Sequence, residues 1–300
     1  MNPTFDTAHI TPTTTLIPAI NGWKYYMEDQ KRSIHTIKAF GADVLLLAEY
    51  LPADKTVGNI STEDLNNYVQ WLEKGRNIPC SPKSLSRRIT AVKSFFGWLH
   101  KNGVLVMNPA EKLLQQSVIS PLPEVLTMSE VELLIEAGNH MRKAPSQDPR
   151  PYVLFRLILE TGIKKGECLG ININHLDVAD KNEATLYVRY PNAANRLKER
   201  KITLSANWVE AYQEYLNHYR LTDNLFPWSP RRLEYILEDL GEAAGVVKHV
   251  SFDMCRWTCA LQDYKSGVDA EKIRQKLGIS KIQWREVYMK LKELAAKTAE

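Results

Sequence analysis

The chain has 300 residues, 44% of them hydrophobic and 25% charged, with a formal net charge of +4 and a pI near 8.7. That length accommodates two domains with separate cores, and the composition is globular rather than disordered. No run of about 18 apolar residues occurs, so no helical membrane span is expected. The four cysteines (Cys80, Cys168, Cys255, Cys259) form no CxxC pair and have no accompanying ligand pair, so neither a metal nor a cofactor is expected.

Residues 1–15, polar and Thr-rich, lack the basic and apolar regions of a secretory signal and read as a loose arm. A cytoplasmic protein is the expectation. Apolar residues at helical spacing predict helices over about Leu16–Gln30 and Ser33–Leu51. A third helix starts at "STEDLNNYVQWL", capped by Ser61 or Thr62. The fourth, "SPKSLSRRITAVKSFFGWLHKNG", has Ser81 as cap, Pro82 at its first position and Gly103 as its stop. "NPAEKLLQQ" predicts a short fifth. From Lys74 to Ala110 there are seven cations and no acid. Such a stretch makes a basic face that favours an anionic partner, most simply a nucleic-acid backbone. Lys83, Arg87, Arg88, Lys93 and Lys101 are its candidate DNA contacts. Charge reversal at Arg87 and Arg88 is expected to abolish DNA binding.

"SVISPLPEVL", with two prolines and no helical period, reads as a linker over 117–126 between a helical domain at 16–116 and a second domain at 127–300. "TMSEVELLIEAG" restarts a helix with a capping box. "PYVLFRLILETG" is a buried helix. "ATLYVRY" and "KITL" read as short strands around a polar hairpin, "PNAANRLKER". Helices follow at about Trp208–Tyr219, Pro230–Ala244, Asp253–Tyr264, Asp269–Leu277 and Lys281–Ala296.

The order of these segments resembles the tyrosine recombinase (phage integrase, Xer-like) family. "ETGIKKGECLGININHLDV" is similar to the family's TGLR-x-x-E-x-x-x-L-x-x-x-D segment, and "LKERKITL" to its NKER-x-VPL strand. "VSFDMCRWTCA" stands where the family has SPHxLRHTFA, and "IRQKLGISKIQWREVYMKL" looks like VQxLLGHSSIxTTxxYxH. The resemblance spans about residues 15–298. It implies a mainly α fold with a small β-sheet: a SAM-like core-binding domain followed by a recombinase catalytic-type domain. It also implies a double-stranded DNA partner, location at the nucleoid, and homo-oligomers formed on DNA through the C-terminal helix.

The family's chemistry attaches DNA to a tyrosine while two arginines brace the phosphoryl oxygens, a lysine protonates the leaving oxygen and histidines assist. The resemblance places the tyrosine at Tyr288 and the second arginine at Arg256. The first arginine falls on Lys164. The hairpin lysine falls on Asn195, with Arg196 or Lys198 as substitutes. The two histidines fall on Asp253 and Ile279. Losing one preorganised donor typically costs about 10²–10³ in rate. Asp253 adds a carboxylate where a phosphate would sit, and pairing with Arg256 or with the N-terminal turn of its helix is its expected fate. Arg196 and Arg200 join the candidate DNA contacts. The expected function is a DNA-binding protein that clamps a duplex between two domains and is impaired in cleavage. An active divergent recombinase using Tyr288 is the alternative, and a protein scaffold the third reading.

Overall fold

The computed structural model describes residues 9–78, 80–114 and 120–297. The chain divides into two compact units, Met1–Pro121 and Leu122–Glu300. The expected arm lies outside the described residues at 1–8, and the expected linker at 117–119.

The first unit is helical: α1 (Leu16–Asp29), α2 (Ile34–Tyr50), α3 (Thr62–Gln70) and α4 (Pro82–Lys101). Ser33, Ser61 and Ser81 each accept a backbone N–H in the first turn of their helix, as caps should. Trp23, Val44, Leu47, Leu65, Phe95 and Phe96 form its core. Two expectations are corrected. Residues 11–15 are pinned rather than loose: Val57 N donates to Thr14 O and Gly58 N to Pro12 O, both at 2.8 Å. A Cβ at Gly58 would lie 2.7 Å from that Pro12 oxygen, so only glycine permits the contact. The expected fifth helix is a pair of turns over its described part. Asn108 Oδ1 accepts Ala110 N at 3.0 Å, a local alternative to a helix too short to nucleate itself.

The second unit comprises α5 (Met128–Lys143), α6 (Arg150–Thr161), α7 (Lys165–Leu169), β1 (Leu176–Asp177), β2 (Thr185–Val188), β3 (Arg200–Thr203), α8 (Ala206–Tyr219), α9 (Pro230–Ala243), α10 (Phe252–Lys265), α11 (Ala270–Lys276) and α12 (Lys281–Lys297). It is mostly helical, with one antiparallel sheet in the order β1-β2-β3. β1 went unpredicted because two residues carry no period. Helix α6 is buried nearly all round and packs against α5, α8, α9 and α10. Residues from Leu122 onward pack on this unit. Leu126 is buried, its N–H donating to Thr258 Oγ1 at 2.9 Å, and Val125 O accepts Lys248 Nζ at 2.9 Å. A separate apolar cluster joins α10, α11 and α12 through Leu261, Ile273, Leu277, Leu291 and Leu294. Among the described residues no helix is long and apolar enough to cross a membrane.

Strand parity decides which hairpin side chains face inward. Tyr187 pairs with Lys201 on the outer face, while Val188 pairs with Arg200 and Leu186 with Ile202 on the core face. Helix α6 ends on Gly162 in the left-handed region, at φ 58°. A Cβ there would lie 2.9 Å from Leu277 Cδ2 and 3.3 Å from Cys259 Sγ. Gly162→Ala is therefore expected to destabilise the second unit by about 2 kcal/mol, measured by urea unfolding.

Candidate functional site

Immediately after Gly162 the chain turns into α7, and Glu167 reaches back to accept Lys164 N–H at 2.9 Å. This carboxylate, with 2% of its side chain exposed, gathers further donors. Arg200 Nη2 donates to Oε2 at 2.8 Å and Nη1 to Oε1 at 3.2 Å. The Tyr190 hydroxyl donates to Oε1, and Lys164 Nζ lies 3.9 Å from it. Burial opposes the charge on Glu167, yet the Arg200 bonds prevail and hold its carboxyl below the usual range. Burial and Glu167 together push Tyr190 up to about 12.

The cations around Glu167 turn to the C-terminal end of α11. Arg200 Nε donates to Lys276 O at 2.6 Å, Arg256 Nη2 to Leu277 O at 2.7 Å, and Lys164 Nζ to Gly278 O at 2.9 Å. Arg274 Nη1 completes the series at Ile279 O, 2.6 Å away. The carbonyls of Lys276 and Leu277 belong to the negative end of α11, where cations are favoured, and those of Gly278 and Ile279 follow directly after it. Arg256 also donates to Gly162 O. A Cβ on Gly278 would lie 2.5 Å from Arg200 Nη1, so glycine admits the guanidinium. Burial first, then Arg256, Lys198 and Arg200, lower the Lys164 pKa against the opposing pull of Glu167. Burial likewise lowers that of Arg256.

The structure thus brings together Lys164, Lys198, Arg200 and Arg256. The expected Asp253–Arg256 ion pair is absent among the described residues. Asp253 is exposed in the first turn of α10, the other location anticipated for it, while Arg256 turns to carbonyls instead. Arg200, expected as a DNA contact, is corrected to an inward-facing residue: 9% of its side chain is exposed and Glu167 holds it. Lys198 Nζ donates to Asn195 Oδ1 at 2.8 Å in the hairpin turn, and Arg196 is exposed. Ile279 is buried in the α10–α12 cluster. Tyr288 is half-buried on α12, its ring 5.9 Å from Tyr264 and 5.5 Å from Trp284. Among the described residues its hydroxyl has no hydrogen-bond partner, so it is not bonded to Lys164, Arg200 or Arg256.

In the first unit the acid-free stretch receives an acid from elsewhere. Asp43 of α2 is buried and pairs with Arg87, and lies 3.8 Å from Arg88 Nε. Arg88 also donates to Cys80 Sγ at 3.0 Å. Burial raises the Asp43 pKa in spite of both arginines. Both arginines thus tie α4 to α2, Arg87 with 44% of its side chain still exposed, and reversing their charges would disturb the fold itself. Lys83, Lys93 and Lys101 have no acid partner among the described residues.

Sequence reasoning missed the roles of Glu167, Tyr190, Gly278 and Asp43. Two signals were available. Arg200 shares strand parity with Ile202, and Asp43 stands beside Val44 on an apolar helix face.

Residues 124–294 match the model of the phage integrase family, and residues 20–103 that of the phage integrase N-terminal SAM-like domain. Tyrosine recombinase XerC of Corynebacterium glutamicum is 26% identical, over 86% of this chain and 82% of that protein. XerC of Xanthomonas campestris pv. campestris is 25% identical, over 96% and 91%. Among solved structures, XerH site-specific recombinase bound to palindromic difH substrate superposes with a TM-score of 0.71 at 17% identity, over 93% of this chain and 84% of that one. A lambda integrase tetramer bound to a Holliday junction gives 0.69 at 14% identity, over 93% and 79%. At such identities these two likenesses establish the fold.

Replacing Glu167 with Gln strands Arg200 in the interior and is expected to cost about 3–5 kcal/mol. Because the Glu167 pKa is lowered from 4.5, its stabilisation is complete above pH 4.5 and is lost as pH falls through the folded value. The stability gap between wild type and Glu167→Gln should therefore narrow below pH 4.5, as urea melts across pH will show.

Proposed function

The chain belongs to the phage integrase family, and from that premise we propose that it binds duplex DNA without cutting it. One observation carries the second half of this reading. Arg256 and Lys164, at the family's phosphate-bracing positions, donate to the carbonyls of Leu277 and Gly278. A guanidinium or ammonium so engaged offers fewer donors to a phosphoryl group, and lysine lacks the bidentate fork of arginine. Proton transfer is impoverished as well. Asn195, Asp253 and Ile279 stand where the family has a lysine and two histidines, and a buried isoleucine transfers no proton.

DNA binding rests on cations free of acids. Lys83, Lys93 and Lys101 of α4 serve the first unit, and Arg196 with Lys198 the hairpin of the second. Cations contact phosphates without the geometry that cleavage needs. The relatives bound to DNA in their solved structures, XerH and lambda integrase, support this partner. Such a protein would reside with the nucleoid. Assembly of several copies on DNA through α12 fits a helix that buries only Leu291 and Leu294 while Ile282 and Met289 remain exposed.

The second reading is an active recombinase. Two observations favour it: Tyr288 is partly exposed with no hydrogen-bond partner for its hydroxyl among the described residues, and Lys198 stands near Lys164 as a proton donor. In that reading a phosphate would displace the carbonyls of Leu277 and Gly278 from the two cations.

Gel shifts over a salt series test DNA binding. The wild type should bind a generic duplex with an affinity that falls steeply with salt. Lys83→Ala, Lys93→Ala and Lys101→Ala combined should weaken it and reduce the log–log salt slope by about 3, close to one per phosphate contact. Salt-independent binding, or none, removes the reading.

A further inference from the structure

The first unit carries a cleft of about 370 Å³ between α1, α2 and α4. The duplex reading shares two of its cations, Lys93 and Lys101, but makes no use of the rings beside them. Three cations line it: Arg32, Lys93 and Lys101. No acid does, and none of the three has an ion-pair partner among the described residues. The nearby Asp29 engages the Gln30 side chain at 3.2 Å instead of a cation. Elsewhere in this unit cations beside the core are neutralised, Arg87 and Arg88 by Asp43 and Lys55 by Asp64. Gathering like charges in one recess raises the energy of each, and an anion in the recess reverses the sign of that term.

The walls select the kind of anion. Tyr26, Phe40 and Trp98 contribute ring surface. Helix α4 keeps Gly97 in its interior at this wall, where a Cβ would meet nothing within 4 Å. Glycine weakens a helix interior, and here its effect is to leave the recess open. Ligand sites begin at about 300 Å³, and this mixture of rings with a few convergent polar groups is their usual lining.

We propose that this cleft binds one nucleotide, with its phosphate on Lys93, Lys101 and Arg32 and its base against the rings of Tyr26 and Phe40. The nucleotide is either a free nucleoside monophosphate or an unpaired residue of bound DNA. The first form is independent of the duplex reading, and the second rests on it.

Calorimetric titration of the full chain with dAMP, deoxyadenosine and inorganic phosphate tests the free form. We expect dAMP to bind at least about tenfold more tightly than either fragment, because both halves of the site are engaged. Gly97→Leu fills open space in a helix that tolerates leucine well, so it should fold and abolish dAMP binding. Lys93→Gln with Lys101→Gln should weaken it by at least about tenfold. Gel shifts then compare a fully paired duplex with the same duplex carrying one unpaired adenosine. A preference for the unpaired residue that Gly97→Leu removes identifies a DNA-borne nucleotide. Equal binding of the two duplexes, together with dAMP binding, identifies a free one. The proposal is overturned by dAMP binding that survives Gly97→Leu. It is overturned equally if dAMP binds no better than its fragments and the unpaired residue confers no preference. The plain duplex reports separately on the duplex reading.

Discussion

The buried carboxylate of Glu167 is the constraint on which the second unit's site depends. An ionised group with so little exposure persists only when donors satisfy it. Here they come from Arg200, Tyr190 and the Lys164 backbone. Because Tyr190 and Arg200 flank the hairpin turn while Lys164 opens α7, satisfying one carboxylate fixes the hairpin against the α6–α7 corner. Arg200 then carries the constraint to Lys276 O at the end of α11. Lys164 and Arg256 follow at the next carbonyls along the chain. The helix end and the cations hold each other.

The same rule operates in the first unit. Asp43 is buried, and Arg87 and Arg88 compensate it from α4. A stretch of sequence without acids therefore does not become a surface without acids. Among the described residues the α4 lysines Lys83, Lys93 and Lys101 are left without an acid, two of them in the recess beside Gly97.

The fold was largely legible. Apolar period located α1 and α2, and a capping serine before an apolar stripe marked α3 and α4, at Ser61 and Ser81. Pro82 and Gly103 bracket α4 as helix chemistry requires. Local rules erred at Asn108, where a side chain satisfies the backbone more cheaply than a helix would. They also missed β1, whose pairing with β2 is a tertiary event. The corner around Glu167 was legible in part: Lys164, Arg200 and Arg256 were singled out and do meet there, while the roles of Glu167 and Tyr190 were not seen. Motif order pointed to Lys164, Arg256 and Tyr288 as a group, but no local pattern reveals that two of them donate to α11. Arg200 reaches the same corner over Gly278, where a Cβ would lie 2.5 Å from its Nη1. The reading of Arg200 as a surface cation ignored its parity with Ile202, a signal that was present.

The most direct test of the account is covalent trapping on a nicked suicide duplex, comparing the wild type with Tyr288→Phe. If the cations are committed to the α11 carbonyls and proton transfer is lost, no protein–DNA adduct forms and the two proteins behave alike while both still shift the duplex. An adduct formed by the wild type and absent from Tyr288→Phe contradicts the account and establishes an active recombinase.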